Sequence, residues 1–266
     1  MLSTRTVPSW QVWECPPAPG IVNMATDAAL LASVGPDMAV WRWYSWARPT
    51  VSFGRNEQIK GRYSAESLAR SGFDAVRRPT GGRALLHDQE LTYSVVLPVA
   101  RQIGWREPYR AISTLLLEAL REVGVPVESA PPRLGQRPDG PVCFDAPDAG
   151  ELLLHGRKLV GSAVWRQDNV YLQHGSILLA DRQGDLADAA DAPLPPVPPA
   201  AALNRVAGAE QLPALVARLK LAISHRLAAW NESTALPLAF APNDTLLQQI
   251  ERETSQFSRD TWLWRR

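Results

Sequence analysis

Two residues stand out for their chemistry. Cys143 lies in Pro141-Val142-Cys143-Phe144-Asp145-Ala146-Pro147, and Lys158 in Gly156-Arg157-Lys158-Leu159-Val160-Gly161-Ser162-Ala163. A thiol attacks as its thiolate, and a nearby ammonium favours that form. Cys143 follows a Pro-, Gly- and Arg-rich stretch that reads as a loop, where a reactive side chain can be presented. Two more segments carry polar groups beside small residues. One is Arg77-Arg78-Pro79-Thr80-Gly81-Gly82-Arg83-Ala84 with His87 shortly after it; the other is Gln173-His174-Gly175-Ser176-Ile177-Leu178. Adjacent glycines expose backbone N–H groups, and flanking arginines suit an anionic or carbonyl-bearing ligand. Each feature also has a plain structural explanation. A lone cysteine is usually a small buried hydrophobe, and a lysine opening a strand is usually solvated. A Gly-Gly pair usually closes a hairpin, and a single histidine such as His87 is usually a hydrogen-bonded part of the framework.

The elements that must position these residues follow from periodicity. A helix is expected over 23–34, capped by Asn23 and stopped by Gly35. Residues 40–46 and 50–53 read as strands, 64–71 as a short helix ended by Gly72, and 75–78 as extended. Strict alternation over 91–97 marks a strand, and Ile112, Leu115, Leu116, Ala119, Leu120 and Val123 form a helical stripe. Three strands at 151–155, 158–165 and 170–179 are joined closely enough for antiparallel hairpins. The Ala/Pro-rich segment 187–202 reads as an irregular connection, followed by helices over 212–227 and 245–256. Runs of strands with flanking helices, without regular βαβ alternation, predict an α+β fold on a mixed or antiparallel sheet. One catalytic domain over 1–266 is expected, with a core at about 20–232 and a helical extension at about 233–266.

Taken together, the order R-R-P-T-G-G-R-A-x-x-H-D-x-E-L-T-Y-S, C-F-x-A-P, G-R-K-x-x-G-S-A and Q-H-G-S-I-L resembles the biotin/lipoate protein ligase and lipoyl-transferase superfamily. Within it, the chain is most similar to the octanoyltransferases of the Gram-positive type, from the Asn23 helix through Leu179. The resemblance implies the superfamily's catalytic fold. It also implies transfer of an octanoyl group from acyl carrier protein to a lysine of a lipoyl-accepting protein. Such acceptors are the glycine cleavage H protein and the lipoyl domains of 2-oxoacid dehydrogenases. By that likeness Cys143 carries the acyl thioester and Lys158 lowers the thiol's pKa. Substrate would be bound by Arg78, Gly81, Gly82, His87, Gly161, Ser162, Ala163 and His174, with Gly81, Gly82, Gly161 and Ala163 leaving room for a linear chain. Octanoyl-phosphopantetheine would enter as substrate, and no cofactor is implied. Asp148-Ala149-Gly150-Glu151 departs from the subgroup's usual tyrosine-containing segment. Arg83 and Glu151 both lean away from an ATP-dependent lipoate ligase. The alternatives are that ligase, an amidotransferase moving octanoyl groups between lipoyl proteins, and a lipoyl-protein or acyl-carrier binding module without turnover. Biotin ligase is disfavoured by the absence of its glycine/arginine-rich loop.

Composition narrows the setting. The 266 residues carry a formal net charge of +1, so nothing in the overall charge points to nucleic acid. The longest stretch free of Asp, Glu, Lys and Arg, 192–204, is far short of the ~20 apolar residues of a membrane span. Cys15 and Cys143 form no C-x-x-C pair, and two distant thiols suit a reducing cytoplasm. The four histidines, His87, His155, His174 and His225, lack metal-ligand spacing, so no metal is expected.

Overall fold

The computed structural model describes residues 9–131 and 150–265. Cys143 and the Asp148-Ala149 part of the departing segment lie outside the described residues. In chain order the first elements are β1 (Ser9–Glu14), α1 (Gly20–Ser33), β2 (Met38–Tyr44), β3 (Thr50–Phe53), α2 (Ala65–Arg70) and β4 (Asp74–Arg77). Next come β5 (Leu85–His87), β6 (Glu90–Pro98), α3 (Arg106–Glu122), β7 (Val127–Ser129), β8 (Leu152–Leu154), β9 (Arg157–Gln167) and β10 (Val170–Leu178). The last are α4 (Leu212–Trp230), β11 (Leu238–Ala239), α5 (Asp244–Phe257) and α6 (Asp260–Leu263).

Eight strands form one sheet in the order β11-β1-β2-β6-β10-β9-β8-β7. The β11, β1 and β2 strands run parallel, and the remaining pairs are antiparallel. The mixed α+β architecture expected from the sequence is therefore present. A second sheet, β4-β3-β5, lies over one end of the first. On one face of the large sheet, the apolar stripe of α3 and that of α4 cover Trp41, Trp43, Tyr93, Val95 and Tyr171. Each fully buried side chain of Leu or Val size contributes about 1.5–3 kcal/mol of burial, so this layer is the stabilising core. The opposite face carries α1, with α5 packed outside it, and the small sheet. No helix among the described residues is long and apolar enough to cross a membrane.

Several boundaries differ from the periodicity. Asn23 does not cap α1, which begins three residues earlier after Pro19. Its side chain instead donates to the carbonyls of Ala18 and Ser45 and accepts from Arg42. A buried asparagine of this kind ties a helix to a strand. By contrast, Ser64 does cap α2, with Ser67 completing a reciprocal capping box.

Candidate functional site

The α1-facing side of the large sheet is built in rungs, because paired residues of neighbouring strands point the same way. The first rung is apolar: Val40, Val96, Leu172 and Trp165. The second is Arg42, Ser94, His174 and Ala163. The third is Tyr44, Thr92, Ser176 and Gly161. Over the third rung lies a cleft of about 350 Å³, counting its open mouth. Met24 reaches it from α1, Trp46 from the turn after β2, and Arg78, Leu85 and His87 from the small sheet.

Behind the cleft, the second rung is saturated with hydrogen bonds. Asp27 of α1 is fully buried and accepts from Arg42 Nη1 at 2.8 Å, Ser94 Oγ at 2.7 Å and His174 Nδ1 at 2.9 Å. Burial works against the charge on Asp27, but the His174 hydrogen bond and the Arg42 guanidinium outweigh it, and the carboxyl stays below its ordinary range. Burial also holds His174 below the usual histidine value, so the ring is neutral with its proton on Nδ1. Its other nitrogen meets Thr80 Oγ1 at 2.6 Å, which pins the Arg77-Arg78-Pro79-Thr80 segment to β10.

A second cluster forms the inner wall. His87 Nδ1 lies 2.8 Å from Glu90 Oε1, and its Nε2 lies 2.7 Å from Ser52 Oγ. The Trp46 indole stacks on the His87 ring with centroids 3.9 Å apart and donates to Glu90 and Thr92. Burial opposes the Glu90 charge, but His87 and the hydroxyls of Thr92 and Ser176 keep its pKa below the ordinary value. Both nitrogens of His87 and of His174 are therefore engaged by the protein. Neither ring has a free nitrogen to offer a substrate, and His87 meets the cleft as an aromatic wall.

The arginines of the glycine-rich segment are likewise committed. A guanidinium has five N–H groups. Arg78 spends them on the carbonyls of Ser52, Gly81 and Arg83 and on Ser52 Oγ, at 2.8–3.1 Å. Arg77 braces the carbonyls of Gly54, Glu57 and Leu263. Here the sequence expectation needs correction: Gly81 and Gly82 do not line the cleft. A Cβ on Gly82 would meet Arg78 Nη2 at 2.5 Å, and one on Gly54 would meet the Gly82 carbonyl oxygen at 2.0 Å. The space that Gly54 and Gly82 leave is filled by protein, a main chain and a guanidinium, whereas a Cβ on Gly81 would meet nothing within 4 Å.

Gly161, Ser162, Ala163, His174, Arg78 and His87 do meet at the cleft. Ser162 presents its backbone, since its hydroxyl is 2.7 Å from Tyr93 OH on the other side of the sheet. Burial raises the pKa of that tyrosine to about 12, so it stays protonated. Lys158 owes its direction to a bulge. Val160 pairs with Leu152, but Lys158 pairs with Leu153, leaving Leu159 as the extra residue. Leu159 and Val160 both enter the α3/α4 core, and Lys158 is turned to the opposite face, the one that carries Gly161. There it is 4% exposed, and its ammonium is 2.7 Å from Glu151 Oε1. Asp27, Arg42, Glu90 and Glu151 were not singled out as site residues from sequence. A charged residue between tryptophans, as in Trp41-Arg42-Trp43, is the one signal that marks a buried charge in advance.

Comparison with known proteins agrees with this architecture. Residues 19–197 match the lipoyl protein ligase A/B catalytic domain model. Octanoyltransferase LipM of Geobacillus kaustophilus is 44% identical over 176 residues, 62% of this chain and 62% of that protein. The Moorella thermoacetica protein of the same name is 40% identical over 67% of this chain and 68% of its own length. The alignment thus spans about two thirds of these relatives. Among solved structures, lipoate-protein ligase A bound with ATP superposes with a TM-score of 0.75 at 17% identity, covering 97% of this chain and 98% of that one. A bi-partite lipoate protein ligase from Thermoplasma acidophilum gives 0.71 at 16% identity, covering 97% and 96%. These likenesses at low identity concern the fold, while the family model covers most of the cleft's lining. The chain belongs to the lipoyl protein ligase A/B catalytic-domain family.

Proposed function

We propose that this protein is an octanoyltransferase that uses Cys143 as its nucleophile and Lys158 as the group that keeps the thiol ionised. The donor is octanoyl-acyl carrier protein, and the acceptor is a lysine of the glycine cleavage H protein or of a lipoyl domain, in the cytoplasm. The observation that carries this reading is the mainly apolar cleft beside a buried lysine on the same face of β9. The 40–44% identity to proteins named octanoyltransferase supports it.

In the first step the Cys143 thiolate attacks the octanoyl carbonyl, a new C–S bond forms, and the carrier thiolate leaves and takes up a proton. In the second, the acceptor lysine's neutral amine attacks the Cys143 thioester. An amide forms, the Cys143 thiolate departs, and the amine gives up one proton. Sulfur-to-sulfur transfer is nearly balanced and thioester-to-amide transfer runs downhill, so neither step needs nucleotide energy. The Lys158 ammonium favours the thiolate and stabilises the developing oxyanion. Glu151 keeps that lysine charged in a buried position, where an unpaired ammonium would tend to lose its proton.

Incubation with octanoyl-acyl carrier protein, followed by intact-mass measurement, tests the reading. A base-labile gain of one octanoyl group is expected on the parent and not on Cys143→Ala, with transfer to H protein lost in the variant. Transfer at the parental rate by Cys143→Ala would refute it. AMP release from lipoate and ATP would point to a ligase, and transfer from octanoylated H protein but not from acyl carrier protein to an amidotransferase.

A further inference from the structure

The cleft is closed at its β2 end by Met24, Tyr44 and Trp46, which are 2%, 3% and 8% exposed. It opens at β9. The β8 strand pairs with β9 only as far as Val160, and Ser162, Ala163, Val164 and Trp165 are all partly exposed. One rung beyond Ala163, about 7 Å along the strand, is Trp165, on the same face. The Arg55 guanidinium, from the turn after β3, sits over its ring at 4.1 Å. It is also 5.6 Å from the Trp262 ring of α6, over whose ring Arg265 stacks at 4.2 Å. A hydrogen bond from Arg265 to the Arg55 carbonyl ties the C-terminal segment to this turn.

Arg55 differs from its neighbours in how its N–H groups are used. Arg77 donates to three backbone carbonyls, and Arg78 has spent all five donors on the protein. Among the described residues, the Arg55 side chain makes no hydrogen bond and no ion pair, although it is only partly exposed. Stacking uses the faces of a guanidinium and leaves its edge free for a bidentate anion. The loss of solvent around it also lowers its pKa somewhat, the signature of a cation without a counter-ion.

The geometry points to Arg55, clamped between Trp165 and Trp262, as an anion-binding residue at the mouth of the cleft that takes the phosphate of the donor's carrier arm. This deepens the acyl-transfer reading and rests on it. An acyl chain inserted towards Trp46 leaves its carrier arm pointing out over β9, and a phosphopantetheine arm is a flexible chain of two amides between the thioester and the phosphate, its one charged group. A stacked arginine with a free edge suits that dianion or phosphodiester better than a solvated lysine does.

The test compares octanoyl-phosphopantetheine with octanoyl-pantetheine, which lacks the phosphate, on the parent, Arg55→Gln and Arg55→Lys. Arg55→Gln is expected to raise KM about tenfold for the phosphate-bearing donor and less than about twofold for the other, with kcat nearly unchanged. Arg55→Lys should recover part of the loss. Binding of unacylated phosphopantetheine and pantetheine, followed by tryptophan fluorescence, reads the same contrast without turnover. Equal effects on both compounds, or none on either, overturn the inference and leave Arg55 a packing residue. A parent that binds phosphopantetheine through Arg55 but transfers no octanoyl group would instead overturn the transferase reading alone.

Discussion

The two ends of the cleft are built on opposite rules. At the β2 end, Asp27, His87, Glu90 and His174 are all buried and bonded, although Glu90 uses only one of its two oxygens, Oε1. Asp27 is shared by Arg42, Ser94 and His174, and Glu90 by His87, Thr92, Ser176 and Trp46. At the β9 end, strand edge and side chains are partly exposed and a guanidinium stands without an acidic partner among the described residues. Among the described residues, the side chains of the closed end have no N–H or O–H left to give, so their contribution is shape. Selectivity for a charged or reacting group has to come from the open end.

The largest expected effect lies in the closed end and concerns stability. Asp27→Asn leaves the buried Arg42 guanidinium without its counter-charge, and urea unfolding should show a loss of about 3–5 kcal/mol. A loss under 1 kcal/mol would mean that the network is not the rigid half of the molecule. At the other end, Lys158→Met should lower transfer about 100-fold to 1,000-fold, and the rise of kcat/KM with pH should move to higher pH as the thiol loses its stabilising ammonium. An unmoved pH profile would assign Lys158 to packing. Met24→Ala, at the blind end, should cost about 2 kcal/mol and shift donor preference from octanoyl towards decanoyl, read as the ratio of the two kcat/KM values. An unchanged ratio would place the chain's terminus elsewhere.

The smallest effect is the pH dependence of folding. The folded pKa of His174 is depressed, so the unfolded chain takes up a proton first, and stability begins to fall below about pH 6.5. The folded pKa values of Asp27 and Glu90 are also depressed. Their contribution is complete above the unfolded carboxylate range and is lost below about pH 4, as the pH falls through the folded values. Urea midpoints at a series of pH values should show both limbs, and His174→Gln should flatten the upper one.

Much of the scaffold was legible because its periods are clean. The α3 and α4 stripes and the β8-β9-β10 meander appear where alternation and helical spacing put them. The β1 strand escaped because Ser9-Trp10-Gln11-Val12-Trp13-Glu14 is a parallel strand whose partners lie far along the chain. The two-residue β11 has no pattern at all. At the site, the small residues of β9 and the two histidines were found from their company in sequence. What those histidines do was not readable, because it depends on Asp27, Ser52 and Glu90, which arrive from three other elements. Gly82 shows the reverse failure. A pattern that suits ligand approach is spent on the approach of Gly54 and Arg78.

The supernumerary Leu159 has a consequence for how such chains are compared. With Leu159 retained but the strand paired smoothly, one residue to a rung, the letters Gly-Arg-Lys would be intact, yet the ammonium would swing through the sheet into the aromatic core on the far side. Deleting the leucine would instead restore strict alternation, with the lysine and the glycine two residues apart and both on the cleft face, so in an alignment the lysine-to-glycine spacing and the bulge have to be read together.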